Sequence, residues 1–198
     1  MDWSVLHSLN DFLFRHDGVE DPLSFYVNAS EALFIAMLAL VCLVGRPLWR
    51  CAAVSAGLSA ALALAIGKLI SELVNRARPF VADPNGVHLF SHHAADAGFP
   101  SDHATASFAI ATAIFLRNRK WGGVALVAAT VLSAGRVALG VHFPSDVIAG
   151  AALGAASALV LWLGPVRAKV DALADFVGSR WDRLLDRGAG RIGLSWRS

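Results

Sequence analysis

The sequence predicts an all-α membrane protein: a bundle of about five transmembrane helices with an amphipathic interfacial helix at each terminus. Of the 198 residues, 56% are hydrophobic and only 16% are charged, whereas an average soluble domain has about 25% charged residues. The mean hydropathy is +0.56. Long apolar runs alternate with short polar segments, the pattern of a chain that crosses a bilayer several times.

Each element follows from its own pattern. Residues 3–14 carry apolar side chains at helical spacing among polar ones, which is typical of a helix lying at the membrane surface. Five apolar segments follow, and we judge them as spans by comparing their lengths with the ~20 residues that a bilayer requires. The third segment is the shortest. The segments are residues 22–44, 48–75, 103–116, 121–140 and 145–164. The chain therefore divides into a transmembrane domain, 1–166, which begins with the interfacial helix 1–21, and a tail, 167–198.

The tail is predicted to be a basic amphipathic helix at the cytoplasmic surface. Apolar residues line one face, and Arg180, Arg183 and Arg187 lie elsewhere. Basic residues also follow spans one, three and five, and such segments face the cytoplasm: Arg46, Arg50, Arg117, Arg119, Lys120, Arg167 and Lys169. The loop 77–102 and the turn 140–145 are then expected at the outer surface. Arg76 and Arg78 depart from this charge bias, which indicates that a site holds them.

Composition excludes several function classes. A net charge of +2 is too small to indicate a nucleic-acid partner, and two cysteines, Cys42 and Cys51, cannot form a disulfide framework. The arginines beside the apolar runs are better explained by lipid headgroups. We expect the bilayer as a partner. The small residues of the fifth span, such as Gly150 and Gly154, indicate close internal packing or, as an alternative, the face of a homodimer.

Polar residues of unusual type collect where spans two to five meet the outer surface. Pro79 is predicted to stop the second span and to leave Arg78 at its mouth. Ser101 or Asp102 can cap the third span, which places His103 in a first turn whose backbone amides are unpaired.

The fourth span ends near Arg136, and His142 and Asp146 open the fifth span four residues apart, close enough to touch. Two histidines beside two arginines and a helix N-terminus suit a phosphoryl group. A histidine that a carboxylate holds in one tautomer can attack phosphorus, and a second can protonate the leaving oxygen. The arginines can stabilise the transition state without a metal, so no metal or cofactor is predicted.

These residues resemble the type 2 phosphatidic acid phosphatase superfamily. Its signatures are Lys-x6-Arg-Pro, Pro-Ser-Gly-His and Ser-Arg-x5-His-x3-Asp, which Arg78-Pro79, Pro100-Ser101-Asp102-His103 and Arg136 with His142 and Asp146 match in order. The resemblance implies that His142 is a nucleophile forming a phosphohistidine, that Asp146 orients it, and that His103 is the general acid. It implies further that the phosphate is bound by Arg78, Arg136, Ser101, Asp102 and amides of the Ser101 loop.

Three positions depart from the signatures. Ser71 stands where the family has lysine, and Lys68, one turn deeper, can reach toward the phosphate in its place. Gly135 replaces the serine before Arg136, and Asp102 replaces glycine. The Pro-Ser-Asp-His form resembles the bacterial undecaprenyl pyrophosphate phosphatase branch, which implies hydrolysis of undecaprenyl diphosphate at the outer face of the bacterial inner membrane and recycling of the carrier lipid for cell-envelope synthesis.

Alternatives remain open at this stage. A phosphatidate or phosphatidylglycerophosphate phosphatase would use the same chemistry. A lipid transporter or flippase would also carry charges in its spans, although near the midplane. Glu31 lies within the first span and is not assigned to the site. A metal site at His88, His92 and His93 is disfavoured because no cysteine or spaced carboxylate set accompanies them.

Overall fold

The protein is a bundle of helices. The computed structural model describes residues 1–44, 47–90 and 93–192, and within those ranges it contains helices and no strand, which confirms the predicted fold class. The helices are α1 (Asp2–Phe14), α2 (Asp17–Val44), α3 (Pro47–Val74), α4 (Pro79–Ala82), α5 (Asp102–Arg117), α6 (Arg119–Ala138), α7 (Pro144–Trp162) and α8 (Gly164–Ile192).

The predicted spans correspond to α2, α3, α5, α6 and α7. By length and composition, four helices of the described residues can cross a membrane: α2, α3, α6 and α7. Helix α5 has 16 residues and is therefore about 24 Å long. It packs against α3, α6 and α7 and is the central helix of the bundle.

Helices α5 and α7 pack closely because α7 carries glycines at the contact. A Cβ atom at Gly150 would lie 2.6 Å from the Ser101 carbonyl oxygen, and one at Gly154 would lie 2.2 Å from that of Thr105. No side chain fits at such distances. The small residues of this span are thus used for packing within the chain, and they hold the N-termini of α5 and α7 side by side.

Helix α3 ends within one residue of the predicted second span, but it ends before Pro79, the residue that was predicted to stop it. Its last residue is Val74, and Asn75 adopts a positive φ of 44°, a left-handed conformation that asparagine tolerates better than most residues. Pro79 begins the short helix α4 instead of stopping α3, and Arg78 is its N-cap. Arg76 and Arg78 consequently lie in an irregular linker from which their side chains turn into the bundle.

The two ends of the bundle are covered by different helices. One end of the bundle holds the N-termini of α5 and α7, and we call it the site end. There α1 is tied to later segments by Asn10, whose amide donates to the carbonyls of His88 and Ala138 at 2.9 and 2.8 Å. At the opposite end, α8 is tied by ion pairs from Arg50 to Asp182 and from Arg117 to Asp171.

The tail prediction agrees with α8 as far as Ile192, and its cytoplasmic location stays a prediction. Residues 193–198, Arg46 and His92 lie outside the described residues, as do the side chains of 184–192, Arg187 among them.

Candidate active site

A cavity of about 530 Å³ opens at the site end and continues between α2, α3 and α5. One part is polar and is lined by Glu31, Arg78, His93, Asp96, Asp102, His103, Arg136 and His142. The other part is apolar and is lined by residues such as Phe34, Ile35, Leu38, Ala61, Leu64 and Ile110. Because Ile35 and Ala61 are exposed on the outside of α2 and α3, the apolar part opens at the side of the bundle.

Five of the eight predicted site residues line this cavity: Arg78, Asp102, His103, Arg136 and His142. They come from four separate segments. His103 lies in the first turn of α5, Arg136 in the last turn of α6, and His142 in the link to α7. Gly140 begins that link with a positive φ of 76°, and a Cβ atom there would lie 2.6 Å from Val87. A glycine is therefore needed for the turn that presents His142.

The contacts of His142 fix its tautomer. The imidazole is 2% exposed; its Nδ1 lies 2.9 Å from the Gly98 carbonyl oxygen and its Nε2 lies 3.0 Å from Nη1 of Arg78. A carbonyl can only accept and a guanidinium can only donate, so Nδ1 carries the proton and Nε2 carries a lone pair. Burial, reinforced by the charges of Arg136 and Arg78, holds the pKa of His142 well below its ordinary value. The ring is neutral and can act as a nucleophile through Nε2.

Asp146 lies beside His142 without a hydrogen bond to it. Its Oδ2 is 3.7 Å from Nδ1 and accepts from the backbone amide of Phe143 at 2.8 Å. Its Oδ1 accepts from Arg76 at 2.8 Å. The i,i+4 spacing predicted contact correctly, but the Gly98 carbonyl takes the bond to the ring, and Asp146 contributes a charge next to it.

Arg78 and Arg136 bring two guanidinium groups to the same cavity. They are 6% and 4% exposed. Arg78 donates from Nε to Asp96 at 2.8 Å, and Arg136 donates from Nη2 to Nε2 of His93 at 2.8 Å. The buried Nε of Arg136 has no hydrogen-bond partner among the described residues. A planar fork that keeps a donor unpaired beside a cavity is suited to binding a phosphate.

Two loop residues, Asp96 and His93, were not assigned to the site from the sequence. Burial opposes ionisation of Asp96, but the hydrogen bond and charge of Arg78 outweigh it and lower the pKa of that carboxyl. Burial and the charge of Arg78 lower the pKa of His93. The other described histidine of this loop, His88, stacks on Phe14 at 3.7 Å between ring centroids. His88 and His93 thus have different partners.

Glu31 also faces the cavity. Its Oε2 lies 4.0 Å from Nε2 of His103, so the only charged residue within the central part of the first predicted span is next to the predicted general acid. The sequence signal was present, because a lone carboxylate in a span is by default functional. Its partner, however, could not be read from α2 alone.

The remaining predicted phosphate ligands lie at the margin of the cavity or away from it. Asp102 is exposed at the rim. Ser101 is buried, and its hydroxyl caps α5 by accepting from the Ala104 amide at 3.5 Å. Lys68 is exposed and does not line the cavity, and neither does Ser71. A phosphate contact from Ser101 or Lys68 stays a prediction.

Known proteins resemble this chain in both sequence and fold. A family model described as the PAP2 superfamily matches residues 52–169. Undecaprenyl-diphosphatase BcrC of Bacillus subtilis is 33% identical over 147 residues, 74% of this chain and 73% of the relative. Putative undecaprenyl-diphosphatase YbjG of Escherichia coli is 36% identical over 146 residues, 67% of this chain and 73% of the relative. The crystal structure of Aquifex aeolicus LpxE superposes with a TM-score of 0.69 at 19% identity, covering 80% of this chain and 93% of that one.

Proposed function

The chain belongs to the PAP2 superfamily, and we propose that it is a membrane phosphatase that hydrolyses undecaprenyl diphosphate to undecaprenyl phosphate. Two of its relatives bear the name of that activity. The observation that carries the proposal is the shape of the cavity, which joins three histidines and two arginines to an apolar channel open at the side of the bundle.

The geometry supports a reaction in two steps. The Nε2 lone pair of His142 attacks the terminal phosphorus; the Nε2–P bond forms as the P–O bond to the lipid phosphate breaks. The electron pair goes to the departing oxygen, which takes a proton from His103. Water then attacks the phosphorus and gives a proton to His103, while the Nε2–P bond breaks and its electrons return to His142. Arg78 and Arg136 stabilise the negative charge in both transition states.

The apolar part of the cavity supports a long hydrocarbon tail on the substrate. Its walls are aliphatic and aromatic, and its side opening lets the tail stay in the bilayer while the headgroup reaches the arginines. Lifting the tail into water would cost about 0.8 kcal/mol for each methylene. A site that takes only the headgroup out of the membrane avoids this cost.

We also propose that the protein spans the bacterial inner membrane with the site end facing outward, where it regenerates the carrier lipid for cell-envelope synthesis. Arg50, Arg117 and Arg119 belong to the opposite end, beside Arg167 and Lys169, and such residues face the cytoplasm. Arg76 and Arg78, which depart from this bias, are both bound to carboxylates at the site. A reporter fused after Ser198 is expected to be cytoplasmic, and an external C-terminus contradicts this orientation.

Phosphate release by the purified protein tests the proposed activity. Undecaprenyl diphosphate, phosphatidate and phosphatidylglycerophosphate are compared in parallel, with and without EDTA. We expect turnover of the diphosphate in EDTA and loss of about 10³-fold or more of the rate in His142→Ala, as for other enzymes that lose their nucleophile. Undiminished activity of His142→Ala contradicts the nucleophile, and preference for a monophosphate lipid identifies the alternative substrate class. No hydrolysis of any lipid would favour the transporter alternative.

A further inference from the structure

Resting on the proposed function, we propose that Arg76 is a positioning residue for His142 and that Asp2 ties it to α1. Arg76 lies in the variable stretch of the first signature and is not one of its fixed positions; it was singled out from the sequence because it departs from the charge bias. In the structure it reaches His142 by two routes, one through its side chain and one through its backbone.

The side-chain route passes through Asp146. Arg76 donates from Nη1 to Oδ1 of Asp146 at 2.8 Å and to the Ser145 hydroxyl at 2.6 Å. Asp146 is fully buried, and its other oxygen lies 3.7 Å from Nδ1 of His142. A buried carboxylate needs a partner to remain charged, and among the described residues Arg76 is the only cation paired with this one.

The backbone route passes through Gly98. The Gly98 amide donates to the Arg76 carbonyl at 2.8 Å, and the Gly98 carbonyl accepts from Nδ1 of His142 at 2.9 Å. The bond that fixes the tautomer of His142 is therefore held in place by the main chain of Arg76. A displacement of residue 76 would disturb both groups that face Nδ1.

Asp2 and Trp3 of α1 cover this network from the outside. Asp2 Oδ2 accepts from Nη2 of Arg76 at 3.0 Å and from the Ser145 hydroxyl at 2.5 Å. The Arg76 guanidinium lies 4.2 Å from the centroid of the Phe143 ring. Trp3 packs edge-on against the same Phe143 ring, with 4.8 Å between the ring centroids. The interfacial helix thus contributes a charge and an aromatic contact to the segment that presents His142.

The arrangement has a specific consequence for the first chemical step. When Nε2 bonds to phosphorus, the imidazole of His142 gains a positive charge, which the neighbouring Asp146 carboxylate stabilises. When the phosphohistidine is hydrolysed, that charge is lost. A residue that keeps Asp146 ionised and oriented should therefore accelerate formation of the intermediate and leave its breakdown unassisted.

The test compares Arg76→Gln, Arg76→Lys and Asp2→Asn with Arg50→Gln. The last variant is the matched control, because Arg50 makes a two-pronged ion pair with Asp182 at 2.7 and 2.8 Å at the opposite end. We expect Arg76→Gln to lower kcat about 10²-fold, the scale of a misplaced reacting group, with KM changed less than about threefold. Arg76→Lys should recover part of kcat, Asp2→Asn should lose less than Arg76→Gln, and Arg50→Gln should keep kcat within about twofold.

The intermediate gives the readout that a purely structural role would not move. Rapid quenching into alkali, which preserves phosphohistidine, should show slower formation of the phosphoenzyme and a lower steady-state level per folded molecule in Arg76→Gln than in Arg50→Gln. Unchanged formation rates in Arg76→Gln, or an equal loss of kcat in Arg50→Gln, overturns the positioning role. Full activity of His142→Ala instead overturns the proposed mechanism, so the two failures are distinguishable.

Discussion

The two ends of the bundle both use arginines to join helices, but they neutralise them differently. At the opposite end, Arg50 is paired with Asp182 and Arg117 with Asp171, and the Ser55 hydroxyl accepts a further bond from Arg117 at 2.8 Å. At the site end, Arg76 is also paired with carboxylates, in its case Asp2 and Asp146, whereas Arg136 has a neutral histidine as its hydrogen-bonding partner.

This difference separates arginines that join helices from arginines that bind a ligand. When a carboxylate pairs with a buried guanidinium, it neutralises most of the positive charge, so the pair attracts a ligand anion only weakly. A guanidinium that lies beside a cavity and has a neutral partner keeps its charge and can attract the anion. By this criterion Arg136, 4% exposed, is the most available to an anion among these arginines. Arg78 is intermediate, because the carboxylate of its partner Asp96 is 62% exposed and thus weakened by solvent.

The largest expected effect comes from replacing one arginine of each kind by glutamine and comparing the two variants. Arg136→Gln should lower kcat/KM about 10²- to 10³-fold, the usual loss when one preorganised donor to a transition state is removed. Arg117→Gln should leave phosphate release per folded molecule within about twofold and destabilise the protein by about 1–3 kcal/mol, since Asp171 and the Ser55 hydroxyl lose their bonds to Arg117 and only Arg167, at 3.6 Å, remains paired with Asp171. Phosphate release and thermal melting of both variants check this. Equal loss of activity in the two would remove the distinction between the ends.

Glycine-to-alanine changes probe the same contrast through packing. A Cβ atom at Gly150, at the site end, would lie 2.6 Å from the Ser101 carbonyl, and one at Gly122, at the opposite end, 2.0 Å from Cα of Phe115. Both variants should lose about 1–3 kcal/mol or more by overpacking. We expect only Gly150→Ala to lose activity per folded molecule as well, because Ser101 caps the helix that carries His103.

Gly123→Ala is the control for that pair. Nothing lies within 4 Å of a Cβ atom at Gly123, so alanine should stabilise α6 by up to about 1 kcal/mol. Melting temperatures together with specific activities distinguish the three variants. A fully active Gly150→Ala protein would show that the site tolerates a shift of α5.

The smallest expected effect is the pH dependence of the ion pair between Asp2 and Arg76. Burial alone would raise the pKa of Asp2, but hydrogen bonds from Ser145 and Arg76 outweigh it and lower the pKa below 3.8. A lowered carboxyl pKa contributes stability that is present above the unfolded value and lost as the pH falls through the folded value. Because Asp2 is 32% exposed, we expect Asp2→Asn to cost less than about 1 kcal/mol at pH 7.

The difference in melting temperature between Asp2→Asn and the unmodified protein should therefore shrink as the pH is lowered below about 4. A difference that is constant with pH would mean that the hydrogen bonds of Asp2, which an amide partly retains, matter more than its charge.

Much of this fold follows from local pattern. Hydropathy predicted each spanning helix to within a few residues, apart from the start of α2 at Asp17, because lipid requires uninterrupted apolar segments. The cap at Ser101 follows from its side chain. The motifs predicted that Arg78, His103, Arg136 and His142 share one site, and these four residues line one cavity. The end of α3 at Val74 agrees with the predicted span, but its cause was not predicted, since Pro79 is the stronger local signal and Asn75 stops the helix before it.

The partners of the site residues were not predictable from local pattern. Asp96 and His93 lie in a loop without periodicity, and Glu31 looked like any carboxylate in a span. Asp2 bonds to Ser145, 143 residues away in the chain. Such contacts depend on how helix ends meet, which neither hydropathy nor capping specifies.

The side opening of the cavity between α2 and α3 determines how the rate should be measured. A substrate that enters from within the bilayer arrives by lateral diffusion in two dimensions, so its effective concentration is its mole fraction among neighbouring lipids and not its amount per volume. Inert detergent or lipid added at constant total substrate should then slow turnover. Kinetic constants for this protein are meaningful only when the composition of the surrounding micelle or vesicle is stated with them.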